Sequence, residues 1–236
     1  MEQYLPFRKR RPHIMNTKLC FMNTKLRFFR GCFLLLASLY IAGCVGAGKP
    51  PLPIDRYLIA YPAPVFEKLP RIEDTFRVDR FAIANAYNSE AMIFRSDNVK
   101  FDSLNYNRWA VNPADMVTDN LLRDLQESGL FRAVFSRYAL DEGRYVLQGG
   151  IQEFFLRMDK TGNAAVIKLE ITLKDITQRE ATRRILFQKK YQEEELPANQ
   201  TPEGYARAIS RAMERLSRKI IGDIYKTLAP APAGTR

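Results

Sequence analysis

Histidine is nearly absent: His13 is the one example in 236 residues. Cysteine is scarce too, and Cys20, Cys32 and Cys44 all fall near the N-terminus. Beyond Cys44 the chain therefore carries no imidazole and no thiol. That excludes Ser-His-Asp and Cys-His catalysis there, and zinc sites built on histidine or cysteine. It also excludes an internal disulfide, which a core of this size does not need. Clustered carboxylates are the chemistry left, and Glu193-Glu194-Glu195 is the one acidic run. Three glutamates after a strand read as a solvated loop. On these grounds the chain is expected not to be an enzyme and to hold no cofactor and no metal.

Charge of one sign is in excess, with 37 Lys and Arg against 26 Asp and Glu. The excess is local. Residues 1–43 hold Arg8, Lys9, Arg10, Arg11, Lys18, Lys25, Arg27 and Arg30 against Glu2 alone, so 29 bases face 25 acids in the remainder. A balance that even predicts no nucleic-acid partner.

The N-terminus has the three parts of an export signal. Lys25, Arg27 and Arg30 form a positive segment. Cys32 to Ala42 is uncharged and mostly apolar, and is shorter than the roughly twenty residues that span a bilayer. Ile41-Ala42-Gly43-Cys44 then reads as a lipobox. The Cys44 thiol is the nucleophile that takes up diacylglycerol, Ala42 and Gly43 supply the small residues a peptidase needs, and the freed amine accepts an N-acyl chain. Residues 1–43 are thus expected to be removed, leaving Cys44 acylated. Two or three chains hold firmly where one holds marginally. Residues 15–21 (MNTKLCF) and 22–28 (MNTKLRF) nearly repeat, and Met22 is a candidate for the true start. Val45, in place of aspartate after the cysteine, favours the outer membrane.

Residues 44–55, rich in Gly and Pro, read as a tether, and 229–236 as a disordered tail. Between them, 56–228 read as one domain. Strands are expected at Arg56–Tyr61, Phe76–Ala86, Met92–Arg95, Phe131–Phe135 and from Tyr145 to Ile151, where Gly149-Gly150 suggests a bulge. Ala165, Ile167, Leu169, Ile171 and Leu173 alternate with Val166, Lys168, Glu170, Thr172 and Lys174, the clearest strand of all. A weaker one covers 183–191. Asn112, Pro113 and Gly129 frame a helix with the stripe Val117, Leu121, Leu122, Leu125. Thr201 and Pro202 open a longer one with Ala206, Ile209, Met213, Leu216, Ile220 and Ile224 on one face. Its other face, Arg207, Arg211, Arg215 and Arg218 with Glu214, reads as solvated, the alternative being a surface for lipid headgroups or an acidic partner. The expected class is α+β: a mainly antiparallel or mixed sheet of five to six strands with two principal helices on one face.

Three motifs imitate catalytic ones. Gly43 to Lys49 has phosphate-loop spacing but meets Pro50 where a hydroxyl belongs. Ser96-Asp97-Asn98 and Lys160-Thr161-Gly162 resemble two penicillin-recognising motifs, but the chain has no serine three residues before a lysine. Both read as turns.

A run of residues carries a family likeness. Leu104-Asn105-Tyr106-Asn107-Arg108-Trp109-Ala110 precedes the proline-started helix. Ser128-Gly129-Leu130-Phe131 and Tyr145-Val146-Leu147-Gln148-Gly149-Gly150-Ile151, with Phe154 and Phe155, follow it. This order, over roughly Arg56 to Leu228, resembles the ABC-type transport auxiliary lipoproteins, the PqiC-like group. The segment Asn85 to Met92 departs from the pattern. The resemblance implies an accessory and docking subunit of an MCE-type ABC lipid transport system. Its partners would be an MCE-domain protein, the membrane through the lipid anchor, and copies of itself in a homo-oligomeric ring. Its place would be the periplasm, on the inner leaflet of the outer membrane. A scaffold for another envelope-assembly machine is the other function class the signal allows. Tyr106, Arg108 and Trp109 have the residue types of interface hot spots, while Trp109 can equally be a core anchor beside the helix N-terminus.

Overall fold

Strands β7 (Tyr145–Asp159) and β8 (Gly162–Asp175) are the spine of the computed structural model, which describes residues 52–229 apart from 68, 98 and 161. The expected signal segment, Cys44, most of the tether and the tail beyond 229 lie outside the described residues. Ala165, Ile167, Leu169, Ile171 and Leu173 project to one face of β8 and all five are completely buried, as period-two spacing dictates. The two strands run antiparallel from Tyr145↔Asp175 to Asp159↔Gly162. The hairpin closes where turn chemistry was expected, with Gly162 at φ 116°, a conformation that favours glycine. Strand β9 (Ile185–Glu195) adds antiparallel to β8 and forms a sheet edge.

Along its other edge β7 meets three short parallel strands in succession. β2 (Ile72–Val78) lies beside Tyr145–Leu147, β3 (Ala82–Ile83) beside Gly150–Ile151, and β4 (Ala91–Arg95) beside Leu156–Arg157. β6 (Phe131–Ser136) pairs parallel with β2, β5 (Phe101–Trp109) antiparallel with β4, and β1 (Asp55–Tyr57) parallel with β5. The nine strands form one mixed sheet curled into a half-barrel.

Nine strands exceed the expected five to six for identifiable reasons. The stretch expected over 76–86 begins at Ile72 and breaks after Val78, because Phe81 turns fully into the core and takes the backbone out of the ladder. Phe101–Trp109 forms a strand in spite of Asp102, Asn105 and Asn107, residues depleted in strands. The bulge in β7 falls between Ile151 and Glu153 rather than at the glycine pair.

The helices match their signals. α1 (Pro113–Glu127) starts with Asn112, whose side chain accepts from the Ala114 N–H at 2.9 Å, and Gly129 follows its end at φ 65°. After the single turn α2 (Ala181–Arg184), α3 (Pro202–Leu228) is capped by Thr201, which accepts from the Gly204 N–H at 3.0 Å. α3 lies over β8 and β9, and α1 against β6, β3 and α3. Together they cover one face of the sheet. Burying a stripe of this kind contributes about 25 cal/mol per Å² of apolar surface, and helices in proteins draw most of their stability from such packing. Two aromatic groups anchor the core. Trp109 packs edge-on against Phe154 and Tyr205 at 5.4 and 5.6 Å, and Phe76 packs on Phe131 and Tyr145 at 4.4 and 5.2 Å.

Candidate functional site

The run Tyr106–Trp109 ends β5, where β1 and β4 flank it. Trp109 is 0% exposed. It anchors the core beside the start of α1, so of the two readings left open by the sequence the structure gives it the packing one. It offers no surface to a partner. Tyr106 and Arg108 stand outside, Tyr106 at 50% exposure. The Arg108 side chain has no hydrogen bond or ion pair among the described residues, whereas Arg56, its neighbour on β1, binds Glu90 at 2.9 Å. Between the pairs Ile93↔Ser103 and Ala91↔Arg108, β4 advances two residues and β5 five. Tyr106 sits in that irregularity, and extra residues of this kind re-aim side chains. The structure thus leaves Tyr106 and Arg108 exposed near the end of β5, between β1 and β4, and buries Trp109.

The basic face of α3 is not simply solvated. Arg211 binds Glu195 at 2.6 Å, Arg215 binds Glu193 at 2.8 Å and Glu195 at 2.7 Å, and Lys219 also reaches Glu193. The three glutamates are the last residues of β9, not a loop. Glu193 and Glu195 face the helix, and Glu194 points to the other face and binds Arg157 at 2.9 Å. Burial pushes the Glu193 carboxyl up, but Lys219 and Arg215 together outweigh it and hold it below the usual value; Arg211 and Arg215 do the same for Glu195.

A buried clasp joins the segment after β1 to both long helices. Asp124 on α1 is 0% exposed. Its carboxylate accepts from the Tyr61 hydroxyl at 2.8 Å, from Ser217 on α3, and from Arg123 at 2.6 and 2.9 Å. Burial, with Asp124 beside it, pushes the Tyr61 phenol well up. A serine on a carboxylate is suggestive of chemistry, but Ser217 is fully buried and the arrangement binds one part of the fold to another.

On the face away from the helices a groove of about 530 Å³ opens around Gly150. Gln152 donates to Glu170 at 2.6 Å, Gln188 donates to the same carboxylate, and Lys174 donates to Gln148. These groups satisfy one another. In the two imitation motifs, Asp97 accepts from the Val99 and Lys100 N–H groups at 2.8 and 2.6 Å, and Gly162, paired with Asp159, begins β8 at the hairpin; Asn98 and Thr161 lie outside the described residues. Among the described residues no three His, Cys, Asp or Glu side chains converge to hold a metal. No helix there is long and apolar enough to cross a membrane.

The sheet order and the run before α1 can now be set beside known proteins. The model of the ABC-type transport auxiliary lipoprotein component matches residues 57–221. The chain belongs to that family, whose members are auxiliary lipoproteins of ABC-type transport. No curated protein matches it significantly. Among solved structures it is similar to a Xanthomonas campestris protein, with 18% identity, a TM-score of 0.61, and coverage of 74% of this chain and 94% of that one. It is also similar to a hypothetical protein from Chlamydia trachomatis, with 10% identity, a TM-score of 0.50, and coverage of 67% and 99%. At these identities the likeness is one of fold.

Proposed function

We propose that the protein is a periplasmic lipoprotein, acylated at Cys44 and held on the inner leaflet of the outer membrane, that docks an MCE-type ABC lipid transport system. The family match over residues 57–221 carries this reading. In this role the domain is a binding element and not an enzyme, and copies of it assemble around the transport path as a ring. Tyr106 and Arg108, exposed and with no side-chain hydrogen bond among the described residues, are the side chains assigned to the MCE-domain partner. Arg108 supplies the unsatisfied donors and Tyr106 a large rigid contact, the residue types that dominate interfaces.

The test is an affinity pull-down of the full-length tagged protein from crosslinked native membranes. Cys44→Ala and Arg108→Ala serve as comparisons. Recovery of an MCE-domain protein, reduced in both variants, is the expected outcome. Recovery of an unrelated envelope-assembly complex with no MCE protein overturns the transport role. A loss in Arg108→Ala accompanied by an equal loss of thermal stability overturns the assignment of Arg108 to a partner.

A further inference from the structure

The first strand leaves backbone groups unmatched. Among the described residues β1 has β5 on one edge and no strand on the other. Successive residues of a strand direct their N–H and C=O groups to opposite edges. Tyr57 gives its carbonyl to the Ala110 N–H, on the β5 side, so the groups of Ile54, Arg56 and Leu58 face the open edge. Ala60 is next in that series, and its N–H is taken by Ser210 on α3 at 3.1 Å. The open stretch therefore ends at Leu58. The side chains alternate in step with the backbone. Tyr57 and Ile59 pack toward the core, while Ile54, Arg56 and Leu58 are exposed.

The register widens this edge into a patch. Pairing runs from Asp55↔Asn107 to Tyr57↔Trp109, which sets Ile54 beside Tyr106 and Arg56 beside Arg108. Leu58 lies near Val111, one residue past the bond from Ala110 to Tyr57. Ile54, Leu58, Tyr106 and Val111 are all exposed. Single apolar side chains on a surface need no account, but contiguous ones mark interaction sites. A strand of three residues has a plainer reading, since short edges discourage stray pairing. That reading leaves the apolar residues on both strands without a use, because charge would guard the edge better.

What fits is a polypeptide in extended form. Lipid does not, because unpaired N–H and C=O groups are costly in hydrocarbon. The preceding residues do not either: Pro50, Pro51 and Pro53 have no N–H to give, and Val45 to Lys49 hold no carboxylate for Arg108. A second copy would bring like charge. Its other open edges carry Lys189 and Lys190 on β9 and Arg132 on β6, and the glutamates of β9 are committed to α3 and Arg157.

We infer that β1 takes up an extended segment of a different protein as an added strand, with apolar side chains on Ile54, Leu58 and Tyr106 and a carboxylate on Arg108. Main-chain bonds supply affinity in such a mode, and alternate side chains supply specificity. The inference rests on the docking role for the identity of that protein, but not for the way it is bound.

The experiment is photocrosslinking of the full-length protein in native membranes, with p-benzoylphenylalanine placed at Ile54, at Leu58 and, for comparison, at Ile185, an exposed apolar position on β9. Positions 54 and 58 should capture one foreign protein, about four residues apart on a single segment, and position 185 should not. Arg108→Glu should cut both adducts at least tenfold. In the purified complex of the unaltered chain, the amides of Arg56 and Leu58 should exchange at least tenfold more slowly than in the protein alone, while Tyr57, which faces β5, changes little. That measurement needs no substitution and so decides even where a variant disturbs the fold. Capture of lipid or of a second copy overturns the inference, and so do adducts without slowed exchange. If an MCE-domain protein is pulled down and positions 54 and 58 capture nothing, the strand mode falls and the docking role stands. If they capture a foreign protein that has no MCE domain, with exchange slowed, the strand mode stands and the transport role falls.

Discussion

At position 149 the side chain is a hydrogen atom because a ring needs the space. A Cβ on Gly149 would come within 2.4 Å of the Phe81 ring, while one on Gly150 would meet nothing within 4 Å. Adjacent glycines in one strand therefore do different work. Gly149→Ala should destabilise the fold by about 1–3 kcal/mol through overpacking. Gly150→Ala should stay within roughly 0.5 kcal/mol of the parent, since the added methyl group has open space. Urea unfolding of the two variants checks this, and equal midpoints would sink it. The pair was visible in the sequence, where it suggested a bulge. What it accommodates was not, because Phe81 stands 68 residues earlier and reaches Gly149 only once β2 and β3 have aligned along β7. Trp109 is a similar case. Its type fits a core and an interface equally, and the choice was made by Phe154 and Tyr205, which the sequence gives no means of placing beside it.

At the scale of elements, the contact between β9 and α3 is the one most dependent on charge. Glu193 and Glu195 are held below the usual glutamate value of 4.5 by Arg211, Arg215 and Lys219, against the opposing pull of burial. The folded state thus binds their protons less readily than the unfolded chain does. Their pairing contributes in full above about the unfolded value and is lost as pH falls through the lower folded one. Stability should therefore drop as pH falls below the usual glutamate value and through the lower folded values, and the slope should be shallower in Glu193→Gln/Glu195→Gln. High salt should flatten it too, because Arg215 and Lys219 remain partly solvated and such pairs are screened. Urea melts across that range decide the matter, and an unchanged slope in the double variant would count against the pairing. The glutamate run reads as a loop by composition, yet the sequence carries a signal for the strand. Tyr191, Glu193 and Glu195 continue the period-two pattern of Phe187, which marks them as one strand face. The helix partners, about twenty residues on, have no signature of that kind.

The whole molecule is organised around one pairing. β7 and β8 both have neighbours on each edge, whereas β9, β6 and β1 lie at edges and β3 is two residues long. The class of fold was legible because β8 alternates cleanly and both long helices carry caps and stripes. The half-barrel was not, since it depends on three short strands taking turns along one long one, and short strands leave little periodicity to read. That arrangement has a dynamic consequence. An amide in the middle of β7 or β8 is released only when the sheet opens on both sides, and it also lies under α3 or the aromatic core. An amide in β1 or β3 is released by local fraying. Native-state hydrogen exchange should accordingly find its slowest amides at Leu147, Ile167, Leu169 and Ile171, exchanging with the free energy of global unfolding, and much faster ones at Arg56 and Ile83. β9 should fall between, because one edge is free but α3 is fastened to it by the ion pairs. Lowering the pH through the folded values of Glu193 and Glu195 should then speed exchange in β9 before β8. Protection in β9 equal to that in β8 at low pH would mean that apolar packing around Tyr191, and not charge, holds the edge in place.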